Sequence, residues 1–85
     1  MKKKNGIRFG ELRELLLEVG FSESPQEQDR LRFKHPVTGT ILLFRPYKSD
    51  EAVSQRDMVV VRRQLVDNGL IAGAAFDRFL ERASA

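Results

Sequence analysis

Residues 30–45 read RLRFKHPVTGTILLFR, and the fold turns on how this stretch alternates. Taken as a strand, 30–35 sorts its side chains by twos. Leu31, Phe33 and His35 point one way, and Arg30, Arg32 and Lys34 point the other. PVTG at 36–39 carries Pro and Gly in turn positions, and TILLFR at 40–45 supplies a second strand. The two strands make a hairpin with one core-seeking face and one basic face. Ile41 to Phe44 is continuously apolar. Either both faces of that strand meet apolar neighbours, or one face is an exposed apolar patch.

Outward from the hairpin, helical spacing takes over. Phe9, Leu12, Leu15, Leu16 and Val19 fall on one side of a helix over 9–19, with Glu14 and Glu18 opposite. Gly20 is suited to end it in the left-handed conformation. Leu17 lies outside the stripe and is expected to be exposed. The polar run SESPQEQD at 22–29 contains Pro25 and reads as an irregular edge strand or loop. A second helix is predicted over 55–68, although MVVV at 58–61 prefers strand by propensity. Ser54 as N-cap, Asp57 at the third helical position and the 58/61/65 spacing decide for helix, with Asn68-Gly69 as the stop. A last short helix over 73–83 gathers Phe76, Phe79, Leu80 and Ala83. The order is α-β-β-β-α plus a short α, an α+β domain with a three-stranded antiparallel sheet packed on helices. One domain is expected over 1–85, with a core of about 8–80 and residues 1–7 as a loose basic arm bearing Lys2, Lys3 and Lys4.

Composition removes several function classes. The 85 residues contain no cysteine, which excludes disulfides and thiolate metal sites, and a single histidine makes a zinc centre untenable. No metal or cofactor is expected. No apolar run is long enough for a membrane span, and no secretory apolar run follows the basic N-terminus, so a cytoplasmic location is expected. There is no Ser-His-Asp set, phosphate-cradling Gly loop or identifiable acid–base carboxylate pair. The formal net charge is +3, and its placement matters more than its size. Arg30, Arg32, Lys34, Arg45 and Lys48 fall in a window, 30–48, that holds no acid. A clustered basic face is the electrostatic footprint of a polyanion binder. Arg62 falls within the apolar arc of Met58, Val61, Leu65 and Val66. It must snorkel out to a carboxylate or carbonyl as a structural strut, or contact a phosphate. His35 is the one side chain whose unperturbed titration lies near neutrality. The plain reading is a half-packed histidine hydrogen-bonded near the turn.

Three segments taken together resemble the HicA-like (YcfA-like) toxins, small bacterial mRNA interferases with a fold like the double-stranded RNA-binding domain. ELRELLLEVGF at 11–21 resembles the family's opening helix, FKHPVTGTILLFRP at 33–46 its hairpin, and VRRQLVDNGL at 61–70 its closing helix, with Arg62 on the family's arginine. The resemblance spans roughly 9–80 and implies that fold, RNA as partner and pairing with a HicB-like antitoxin. It also implies a catalytic histidine three residues before the hairpin phenylalanine, after Gly and a small residue. Here that position is Arg30, preceded by Gln28 and Asp29. His35 matches the family's turn histidine, which is not its catalytic group. A guanidinium cannot serve as the base for a ribose 2′-OH, but it can hold a phosphate through paired hydrogen bonds. Whether the chain is an enzyme is therefore open. The leading expectation is an RNA-binding protein, weak or inactive as a ribonuclease, using Arg30, Arg32, Lys34, Arg45, Lys48 and Arg62. The alternatives are a nuclease with His35 as a relocated base, and an interaction module that pairs with a HicB-like protein or with a second copy of itself.

Overall fold

The structure, a computed structural model, describes residues 6–27 and 30–83. Lys2, Lys3, Lys4, Gln28 and Asp29 lie outside the described residues. The chain runs α1 (Phe9–Val19), β1 (Ser22–Glu27), β2 (Arg30–Lys34), β3 (Ile41–Phe44), α2 (Gln55–Asp67) and α3 (Gly73–Ala83). The sheet order is β1-β2-β3, antiparallel throughout. No helix among the described residues is long and apolar enough to cross a membrane.

The hairpin register places Phe33 opposite Leu42 and Leu31 opposite Phe44, so the inward residues of both strands coincide. Phe33, Leu42 and Phe44 are buried with Phe9, Leu12 and Leu16 of α1, Val61 and Leu65 of α2, and Phe76 of α3. All three helices thus share one core with one face of the sheet. Its centre is aromatic. Phe9 stacks on Tyr47 at 5.3 Å between centroids and meets the Phe44 and Phe33 rings edge-on at 5.6 and 6.3 Å. Such pairs add to burial because ring edges and faces carry opposite partial charge.

Local chemistry sets the element ends. Gly20 leaves α1 at φ +117°, and its N–H donates back to the Leu16 and Leu17 carbonyls. The Asp57 N–H donates to Ser54 Oγ at 3.1 Å, and the Tyr47 hydroxyl donates to Asp57 Oδ2 at 2.6 Å while accepting from the Ser54 N–H at 3.1 Å. This small network fastens the post-sheet loop to the first turn of α2 and outweighs the strand preference of residues 58–61. Val59 and Val60 of that run are exposed, whereas Val61 is fully buried.

One expectation changes. Residues 6 and 7 do not belong to a loose arm. Ile7 is buried, its carbonyl accepts from the Val53 N–H at 2.8 Å, and Arg8 bridges Ala52. The apolar side chain supplies the reason, because it closes the core beneath the loop that follows β3. Of the two readings of 22–29, the irregular edge strand holds: SESPQE pairs with β2 at the edge of the sheet, and the ladder shifts register between Ser24 and Glu27, across Pro25, which has no N–H to donate.

Candidate nucleic-acid interface

Since all helices pack on the inward face, the other face of the sheet is left uncovered. Two transverse rows cross it: Ser22–Lys34–Ile41 and Ser24–Arg32–Leu43. Arg30 precedes them at the start of β2, exposed and opposite Glu27 in the ladder. Alternate residues on a strand stand about 6.6–6.8 Å apart, so Arg30, Arg32 and Lys34 form a straight basic line. Arg32 is half-buried between its neighbours and Lys34 is exposed. Among the described residues, no carboxylate lies within ion-pair distance of Arg32 or Lys34. Beside this line run Ile41 and Leu43, 43% and 53% exposed, so the outward face of β3 is an apolar strip.

The other predicted site residues do not join the line. The Arg45 guanidinium lies 2.8 Å from Glu51 and 4.1 Å above the Tyr47 ring. Its pKa is pushed up, chiefly by the hydrogen bond to Glu51. The Glu51 carboxyl is held below its ordinary value, first by the Lys48 backbone N–H and then by Arg45. The ion pair therefore persists above the usual carboxylate range and is released only as pH falls through the depressed Glu51 value. Lys48 is exposed in the same loop. The acid-free window of sequence is thus not acid-free in space, since Glu51 folds back onto it. Sequence reading missed this because the window closes three residues too early.

Arg62 escapes its apolar arc. Its Nε donates to Asp77 Oδ1 of α3 at 3.2 Å, and the pair is 44% and 57% exposed. It ties helix to helix rather than helix to sheet, and it lies in the helical layer. Arg62→Ala is expected to cost no more than about 1 kcal/mol, because exposed ion pairs are weak. Thermal melting with and without added salt checks this.

His35 is buried, not half packed. Nε2 lies 3.2 Å from the Val19 carbonyl, and Nδ1 accepts from the Val37 and Thr38 N–H groups, both at 3.3 Å. Those two donors require Nδ1 to be unprotonated, which puts the ring proton on Nε2, donating to Val19. The ring edge meets Phe21, with 5.2 Å between centroids. A Cβ built at Gly20 would stand 2.9 Å from His35 Nε2. Both ring nitrogens are occupied by backbone, and the site offers no room for a substrate hydroxyl.

Every phenylalanine and the one tyrosine is buried or half-buried, so the exposed face offers no ring on which a base could stack. The groove between α1 and α3 is lined by Glu11, Glu14 and Glu18 against Arg82 and repels phosphate. Among the described residues, no group of three or more histidine or acidic side chains could hold a metal ion. Comparison of this chain with family models, with curated proteins and with solved structures gives no match.

Proposed function

We propose that the protein binds the phosphate backbone of RNA on the uncovered sheet face and does not cleave it. The observation that carries the reading is the line Arg30, Arg32, Lys34 on a face that no helix covers. The α-β-β-β-α order with a short final helix is compatible with a HicA-like domain, and Arg30 at the place of that family's histidine favours holding a phosphate over moving a proton. His35 as a relocated base has no support, given its burial and its backbone partners. Absence of a stacking ring points to backbone contacts with little sequence preference.

Retardation of end-labelled structured RNA, without metal, tests the reading. Three phosphate contacts should weaken binding roughly 20–40-fold between about 50 and about 200 mM salt. Affinity that is absent, or indifferent to salt, would sink the proposal. Cleavage by the natural protein would overturn its second half. Cleavage gained by Arg30→His alone would show a former reaction site otherwise intact.

A further inference from the structure

The sheet has two edges, and they are built differently. The β1 edge carries Pro25 and a register shift, devices that spoil a strand as a template for pairing. The β3 edge carries neither. Its orientation follows from the turn. The His35 N–H donates to the Thr40 carbonyl at 2.8 Å, so Thr40 faces β2. Backbone groups alternate along an antiparallel strand, so Leu42 and Phe44 also face β2, while Ile41 and Leu43 turn their N–H and C=O outward. Among the described residues, no backbone hydrogen bond reaches Ile41 or Leu43 from beyond the sheet. The same two residues hold the exposed apolar side chains of the open face.

We infer that this edge pairs antiparallel with the β3 edge of a second copy of the chain, giving a continuous six-stranded sheet. The strand is self-complementary in one register in particular. Leu42 stands on the two-fold axis opposite its own counterpart, and Ile41 stands opposite Leu43 of the other copy. Each Ile41–Leu43 pair then exchanges both backbone hydrogen bonds. In this register inward residues meet inward ones and outward residues meet outward ones, as the pleat demands. Charge permits it too. Arg32 and Lys34 lie one strand back, so the two basic lines stand about 14 Å apart with the apolar strip between them, and no like charges face each other directly. A four-residue edge covers well under the ~1,200 Å² of a standard stable interface, so the dimer forms at high concentration and dissociates on dilution. The inference stands independently of RNA binding.

Sedimentation equilibrium of the full chain, free of nucleic acid, from about 10 µM to about 1 mM, tests it. The expected result is a mass rising toward twice the monomer value, with a dissociation constant at least tenfold weaker in Leu43→Lys. A monomer at every concentration overturns the inference, and so does a dimer that Leu43→Lys leaves unchanged. Amide shifts of the natural protein on dilution give a check that needs no variant. The Ile41 and Leu43 N–H resonances should move together, and a dimer that leaves them fixed uses another surface.

Discussion

Phe33→Ala is expected to lower the melting temperature by roughly 15–30 °C. The side chain is fully buried, and its ring meets Phe44 at 5.8 Å and Phe9 at 6.3 Å, edge-on in both cases. Removing a ring from such a site costs about 3–5 kcal/mol in lost transfer energy and residual cavity. A domain of this size holds about 5–15 kcal/mol in all and loses about 4–8 °C per kcal/mol. Circular dichroism melts measure the shift. A fall of under about 5 °C would mean that the sheet and α1 do not depend on this aromatic contact. Because Arg32 and Lys34 point away from the ring, the folded fraction at low temperature should keep the RNA affinity of the natural protein. The stability and binding readouts therefore separate at neighbouring residues of one strand.

Replacing His35 should produce the second large loss, with a graded series. In His35→Ala the Val37 and Thr38 N–H groups lose their acceptor and the Val19 carbonyl loses its ring donor. Part-buried backbone groups left without these partners, together with the volume vacated by the buried ring, put the expected cost at roughly 2–4 kcal/mol. His35→Asn keeps an oxygen near the place of Nδ1 and should recover part of that loss by preserving the turn. Denaturant titration ranks the three proteins. Equal stability of the alanine and asparagine variants would show that the turn bonds contribute nothing. Neither substitution should alter RNA affinity in folded protein, whereas a base acting on substrate would show itself in activity first.

Most of the architecture was legible because its signals are local. The 9–19 stripe, the Ser54 cap and the Gly20 and Asn68-Gly69 stops correspond to α1 and α2 as observed. The alternation at 30–35 separated Phe33 from the basic line, which the structure keeps together on one face. What sequence did not disclose depends on contacts between distant segments. Arg45 looked like part of the basic patch until Glu51 folded back on it. Ile7 looked like part of an arm until Val53 came beside it and Ala52 beside its neighbour Arg8. The apolar run of β3 left two readings open. Nothing in its composition could reveal that no helix crosses the outward face, because that depends on where the three helices pack.

The close approach of Gly20 to His35 Nε2 has an evolutionary corollary. A side chain at position 20 would need both a left-handed backbone, which only glycine adopts without strain, and the space the imidazole occupies. The two positions, fifteen residues apart in sequence, should therefore drift as a pair. Descendants that lose the glycine should also have traded the histidine for something smaller, and those that keep the histidine should tolerate only glycine at the end of α1.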